Sequence, residues 1–92
     1  MIVRILHDGQ YRIADADVAA IQALDEHVEE AVAGSDDQAF VAALERLVDG
    51  VRHHGVRLAD DELIASDAVV PDADTTLTEA KALLSEEGLI PD

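Results

Sequence analysis

Four histidines are the residues of this sequence best suited to acid–base or metal chemistry: His7, His27, His53 and His54. Asp49 and His53 lie four residues apart, which is the spacing of two metal ligands on one face of a helix. Two ligands are too few for a stable site, and the pattern supplies no third. We therefore interpret His53 and His54 as part of a last helical turn, where the negative end of the helix dipole favours an imidazole.

Other catalytic groups are no better defined. The chain has no cysteine, which excludes a thiolate zinc site, a disulfide and a cysteine nucleophile. The serines lack a Gly-x-Ser-x-Gly context, and the sequence has no glycine-rich phosphate loop and no calcium loop. We predict a protein that is not an enzyme and uses no cofactor or metal. A small metal-dependent enzyme built on Asp49 and His53 is a third, less favoured hypothesis.

The charge balance narrows the choice of partners. Twenty-one acidic residues face six basic ones, giving a formal net charge of −15. Nucleic-acid phosphates require clustered lysine and arginine, and anionic lipid repels a negative surface, so direct binding to either is disfavoured. Two interpretations of the acidity stay open. Either the acidity reflects adaptation to high salt, where the Debye length falls to about 3 Å at 1 M, or it forms a docking surface for a basic partner.

The sequence shows no signal-peptide pattern, and no apolar run approaches the ~20 residues of a membrane span. We therefore expect a soluble, cytoplasmic protein without a transmembrane segment.

The first thirteen residues predict a β-hairpin. Two β-rich runs, 2–6 and 11–13, flank Asp8-Gly9, the signature of a two-residue type I′ turn. That turn would place Arg4 and Tyr11 on the same face of the ribbon and Arg12 on the other. An isolated two-stranded ribbon is marginal in water, so one face must lie on the helices.

Basic and aromatic residues of this ribbon are conspicuous in such an acidic chain. Arg4, Tyr11, Arg12 and Arg57 are expected near one another, and arginine and tyrosine are enriched at the energetic centres of interfaces. We name Arg4, Tyr11 and Arg12 as candidate partner-binding residues. A plainer interpretation, also open, is that the arginines neutralise nearby carboxylates or protect an edge strand.

Residues 14–55 predict two amphipathic helices in an antiparallel hairpin. The first is expected to start at Asp15 or Asp17, whose side chain would cap it, and to end with Gly34 in a left-handed conformation. Ser35 would cap the second helix through a Ser-x-x-Gln capping box, and Gly55 would end it. The expected buried stripes are Ala20, Ile21, Leu24, Val28, Ala31 and Val32 in the first helix and Phe40, Val41, Leu44, Leu47, Val48 and Val51 in the second.

The pattern after Gly55 is weaker. Residues 56–58 suggest a short extended piece, and 68–70 are the better candidate for a third strand; whether it joins the hairpin stays open. Thr76-Leu77-Thr78-Glu79 matches a capping box that starts a C-terminal helix, with Gly88 at its expected end. We predict an α+β fold: an N-terminal β-hairpin, with the candidate strand 68–70, packed on the antiparallel two-helix hairpin, and a short C-terminal helix. Residues 1–92 are expected to form a single domain.

Several stretches match a known pattern: Met-Ile-Val-Arg-Ile-Leu at 1–6, Gly-Gln-Tyr-Arg at 9–12, Asp-Asp-Glu-Leu at 60–63 and, most strongly, residues 73–79 and 83–91. With them the chain resembles the PspA-associated proteins (PspAA), a small family that accompanies PspA/Vipp-type membrane-stress proteins. The resemblance implies a non-enzymatic partner of a coiled-coil, membrane-remodelling protein in the envelope (phage shock) stress response. It supplies no catalytic or binding residues.

Together these observations predict a protein-interaction module that binds a PspA-like coiled-coil protein through the ribbon face or an exposed seam of the helical hairpin. Through that partner it would be recruited to the membrane. The alternative is a small transcription-associated or antitoxin-like regulator that acts through a basic protein partner. The sequence sets neither the oligomeric state, so a homo-oligomer stays open, nor the surface that binds.

Overall fold

A computed structural model describes residues 1–62 and 64–79. In chain order the elements are β1 (Ile2–Ile5), β2 (Gly9–Arg12), α1 (Asp15–Ala33), α2 (Asp37–His54), β3 (Val56–Arg57) and β4 (Ala68–Val70). The strands form one sheet in the order β3-β2-β1-β4, and the α1–α2 hairpin covers one face of it. The predicted α+β fold is confirmed.

The loop between β1 and β2 differs from the predicted two-residue turn. Ile5 pairs with Gly9, so Gly9 belongs to β2 and the loop consists of residues 6–8. His7 adopts a left-handed φ of 66°. The amide of Asp8 donates a hydrogen bond of 3.0 Å to the carbonyl of Ile5, which closes the turn.

Burial of apolar side chains explains this register. In the observed pairing Val3 lies opposite Tyr11, and both are buried on the face that meets the helices. The predicted pairing would have placed Val3 on the same face as Arg12. Because side chains alternate along a strand, that shift would have carried a charged group into the core.

Both candidate strands after α2 join the sheet at its edges. β3 pairs antiparallel with β2, and β4 pairs parallel with β1. Residues 58–62 and 64–67 therefore lead from one edge of the sheet to the other and form a crossover. The side-chain amide of Gln10 donates hydrogen bonds of 2.7 Å to the carbonyl of Ile64 and 2.8 Å to the hydroxyl of Ser66. This crossover covers Gln10 on the outer face, the face of the sheet away from the helices.

The end of α1 corrects the role predicted for Gly34. Gly34 has a right-handed φ of −84°, and Ser35 takes the left-handed position with φ 51°. The amide of Asp36 donates to the carbonyl of Ala31, and that of Ser35 to the carbonyl of Val32, each at 3.1 Å. These two bonds form a Schellman ending one residue later than predicted.

The N-terminal caps of both helices also differ from the predicted caps. α1 begins at Asp15 as predicted, but its N-cap is Ala14 and no side chain caps it. α2 is capped by Asp36, whose carboxylate accepts a hydrogen bond of 3.1 Å from the amide of Ala39. The capping box predicted at Ser35 is therefore wrong, because that residue already ends α1. Gly55 ends α2 as predicted.

The core lies between the sheet and the helical hairpin. Its largest fully buried side chains are Phe40, Ile5, Ile13, Ile21, Leu44, Leu47, Val3, Val28, Val48, Val51 and Val70. Two predicted core residues, Ala20 and Val41, are exposed, whereas Ala43 is buried. A Cβ at Gly50 would collide with the terminal methyl of Leu24, so a larger residue there would displace that side chain.

The C-terminal helix starts as predicted within the described residues. Residues 77–79 are helical. The amide of Glu79 donates to the hydroxyl of Thr76 at 3.2 Å, and that hydroxyl donates to the carboxylate of Glu79 at 3.0 Å. The predicted helix end at Gly88 lies outside the described residues.

Candidate functional site

The three candidate partner-binding residues lie on opposite faces of the sheet. Arg4 and Arg12 are exposed on the outer face, whereas Tyr11 points toward the helices and is only 7% exposed. The prediction that Arg4 and Tyr11 share a face is wrong, because the observed register pairs Arg4 with Gln10 and Tyr11 with Val3.

Each outer arginine has an exposed valine beside it on the neighbouring strand. Arg12 is paired with Val56, which is 68% exposed, and Arg4 with Val69, which is 45% exposed. Side chains in such cross-strand positions lie about 5 Å apart at their Cβ atoms. Neither arginine forms an ion pair with another described residue. We call Arg4, Arg12, Val56 and Val69 the outer arginine face.

Arg4 also borders a cavity of about 330 Å³ between the sheet and the crossover. The cavity is lined further by Gln10, Leu58, Asp60 and Glu62. Because the lining combines one guanidinium with two carboxylates, the cavity does not select for a ligand of one particular charge.

Tyr11 belongs instead to a polar cluster around Asp8. Its hydroxyl donates to the Asp8 carboxylate at 3.1 and 3.2 Å. Nε of Arg52, in the last turn of α2, donates to the same carboxylate at 2.8 Å. Arg57 in β3 donates to the Asp8 carbonyl at 3.0 Å, and its Nη1 lies 3.4 Å from the carboxylate. The cluster joins the hairpin loop to α2 and β3.

The electrostatics of the cluster keep Asp8 ionised. Burial, which leaves the side chain 14% exposed, by itself raises the pKa of Asp8. Hydrogen bonds from Arg52 and Tyr11 and the charges of Arg52 and Arg57 together outweigh burial, so the pKa lies below its ordinary value. The hydrogen bond to Asp8 in turn raises the pKa of Arg52.

Sequence reasoning missed this cluster. The sequence pattern assigns Asp8 only to the turn and gives Arg52 no distinct role, because the two lie 44 residues apart. A basic residue in the last turn of a helix is usually explained by the helix dipole alone, so its position gave no sign of a distant partner. Placing Arg57 near the ribbon was correct, but it joins Tyr11 rather than the outer arginines.

The histidines of α2 lie in its last turn, as interpreted from the sequence. Nδ1 of His54 is 3.4 Å from the carboxylate of Asp17, and the rings of His53 and His54 meet edge-on at 5.1 Å. Asp49 and His53 are exposed. Within residues 1–62 and 64–79, no three histidine or carboxylate side chains are grouped so that they could hold a metal ion.

A groove follows the start of α2 on the side away from the core. Two adjoining cavities of about 360 and 370 Å³ share Asp37 and Val41 as lining residues. Ala42 and Glu45 continue the first cavity along the helix, and residues 73–78 wall the second. Val41 is 44% exposed, so an apolar side chain lies open between carboxylates.

The sheet, the helical hairpin and these surfaces define a small α+β protein. The chain belongs to the PspA-associated protein family, PspAA, whose family model matches residues 1–92. The family resemblance drawn from the sequence is thereby confirmed. No similar protein was found among curated sequences, and none among solved structures. In the part of the chain that the structure describes, no helix has the length and apolar character needed to cross a membrane.

Proposed function

We propose that this protein is a non-enzymatic interaction module that binds a PspA-like coiled-coil protein in the envelope stress response. The observation that carries the proposal is the match of the PspA-associated family model over residues 1–92. The protein would act in the cytoplasm and reach the membrane through this partner. Its role would be to change the assembly or signalling of that partner.

We assign the contact to the outer arginine face. The chain carries a net charge of −15, yet Arg4 and Arg12 are exposed there without an ion pair among the described residues. Arginine combines charge with planar hydrogen-bonding geometry suited to carboxylates. The exposed valines beside the arginines add apolar area, so each arginine–valine pair suits an acidic side chain next to an apolar one on a partner helix.

Tyr11 has a different part in the proposal. Its side chain is buried and bonded to Asp8, so it does not reach the outer face. It stabilises the hairpin that presents the arginines on the other side.

Isothermal titration calorimetry with the PspA-like protein of the same organism tests the proposal, at the salt concentration of the native cytoplasm. We expect the double variant Arg4→Ala/Arg12→Ala to bind at least tenfold more weakly than the parent protein. Arg46→Ala is the matched control, since Arg46 is an exposed arginine of α2 outside this face; it should bind like the parent.

Two results would overturn parts of the proposal. If the parent protein shows no heat of binding and does not co-purify with the PspA-like protein, the proposed function is wrong. If binding occurs but the double variant and Arg46→Ala are weakened equally, the outer arginine face is not the contact.

A further inference from the structure

The α2 groove is the other place where the described residues expose a large apolar side chain. Among residues 1–62 and 64–79, three large hydrophobic side chains are exposed, and two of them, Val56 and Val69, belong to the outer arginine face. The third, Val41, lies in the groove, although the helical period of the sequence predicts it in the core. Val41 lines both cavities of the groove, so an apolar side chain of a partner placed in either one would contact it.

Charged residues bracket this valine at regular intervals. Asp37, Val41 and Glu45 follow one another at steps of four residues and therefore share one face of α2. The two carboxylates are about 12 Å apart along the axis at 1.5 Å per residue, with the valine midway. Neither is ion-paired with another described residue.

The opposite wall of the groove also exposes a carboxylate. It consists of residues 73–78, which lead into the C-terminal helix. Asp74 is exposed on this wall and is likewise unpaired among the described residues. An apolar floor between unpaired carboxylates complements an apolar side chain between cations.

We propose that the α2 groove (Asp37, Val41, Ala42, Glu45 and residues 73–78) binds an amphipathic helix of a protein partner. That helix presents an apolar side chain on Val41, with a lysine or arginine four residues before it and four residues after it to meet Asp37 and Glu45. A helix lying along α2 repeats the same rise of about 6 Å per four residues, so all three contacts form together. The inference is independent of the outer arginine face.

Charge decides between this occupant and a second copy of the chain. Two copies would bring together surfaces that each belong to a molecule of net charge −15. Long-range repulsion between them opposes association at low ionic strength. A basic helix is attracted by the same field. Added salt weakens only the charge-dependent part of its binding affinity.

The direct test uses a synthetic helical peptide as the probe. The peptide carries one leucine with a lysine four residues on either side, in an alanine and glutamine background. It is titrated into the ¹⁵N-labelled full chain in 0.3 M NaCl. We expect amide shifts concentrated at residues 37–45 and 73–78. Shifts spread evenly over the acidic surface would overturn the proposal.

Variants separate the groove from general attraction to an acidic protein. Val41→Gln should weaken peptide binding at least fivefold, whereas Val69→Gln, at an equally exposed valine on the sheet, should leave it unchanged. Glu45→Gln should weaken it about threefold, and Glu26→Gln, at an exposed carboxylate of α1, should not. Equal effects within either pair would overturn the proposal.

A change in the peptide provides a test that leaves the protein intact. Replacing its leucine by glutamine should also weaken binding at least fivefold; an unchanged affinity would show that only charge is recognised. None of these measurements involves a PspA-like protein, so this inference and the proposed function fail on different evidence.

Discussion

At the scale of single residues, the Asp8 cluster is the most connected polar feature that the structure describes. One carboxylate receives hydrogen bonds from Tyr11 and Arg52 and lies against Arg57. These three residues belong to β2, α2 and β3. Asp8 therefore fixes the position of the hairpin loop against α2 and β3.

Asp8→Asn tests this role. We expect a loss of about 1–2 kcal/mol in the free energy of unfolding at pH 7, because hydrogen bonds to a charged group contribute more than neutral ones. Urea unfolding followed by circular dichroism measures it. Asp61→Asn is the control, since Asp61 is an exposed carboxylate outside the cluster and should change stability by less than about 0.5 kcal/mol.

The same variant gives a signed pH dependence. The folded-state pKa of Asp8 lies below its ordinary value, which is about 3.9 in an unfolded chain. Its contribution is thus fully present above that unfolded value and is lost as the pH falls through the folded-state pKa. The stability gap between the parent protein and Asp8→Asn should narrow as the pH is lowered from 5 toward 2. A gap that stays constant would show that the ionised carboxylate contributes nothing.

At the scale of elements, the junction of α1 and α2 sets the geometry of the helical hairpin. Ser35 rather than Gly34 takes the left-handed conformation, and Asp36 caps the next helix. Three consecutive residues thus end one helix and start another. The tight turn fixes where α2 starts and so positions both the α2 groove and Arg52.

Paired substitutions distinguish the two residues of the turn. Gly34→Ala should leave stability unchanged or raise it by up to about 1 kcal/mol, since its φ is right-handed and an added Cβ meets its nearest neighbour, the carbonyl of Glu30, at an ordinary 3.4 Å. Ser35→Val should lower stability by about 1–2 kcal/mol, because a β-branched residue is strained at positive φ. Thermal and urea unfolding measure both. The opposite order would place the left-handed residue at Gly34.

At the scale of the whole molecule, the chain of 92 residues has a net charge of −15, and the residues that the structure describes form a small body with a radius of gyration of 12.4 Å. Like charges held so close repel one another more in the folded state than in the expanded chain. The two sequence interpretations of this acidity, salt adaptation and docking, make different demands on stability. Salt adaptation predicts a fold that gains much of its stability from screening by salt, whereas a docking surface needs a fold that is already stable at low salt.

Unfolding in urea at increasing NaCl tests this dependence. We expect the urea midpoint to rise between 0.05 and 1 M NaCl, because screening weakens the self-repulsion of the folded state. Sucrose at matched osmolality controls for general exclusion of solutes from the protein surface. A midpoint that does not change with salt would leave docking as the better explanation of the acidity.

Local patterns determined much of the fold from the sequence alone. Helical periodicity placed both long helices, and Asp15 and Gly55 marked an observed start and end. The capping box at Thr76 was identified because its hydrogen bonds join residues only three apart. The matching stretches also determined the family, since that resemblance is a property of residue order. Each of these features depends on residue order or on contacts between residues close together in the sequence, which the sequence itself specifies.

Tertiary structure decided which faces and distant residues meet. Asp8-Gly9 predicted a two-residue turn, but the three-residue loop puts Val3 and Tyr11 together in the core, and burial of apolar area outweighs a local turn preference. That register separated Tyr11 from Arg4. It also brought Asp8 to Arg52, a contact across 44 residues. Such contacts depend on how the elements pack against one another, and no local pattern of residues specifies that packing.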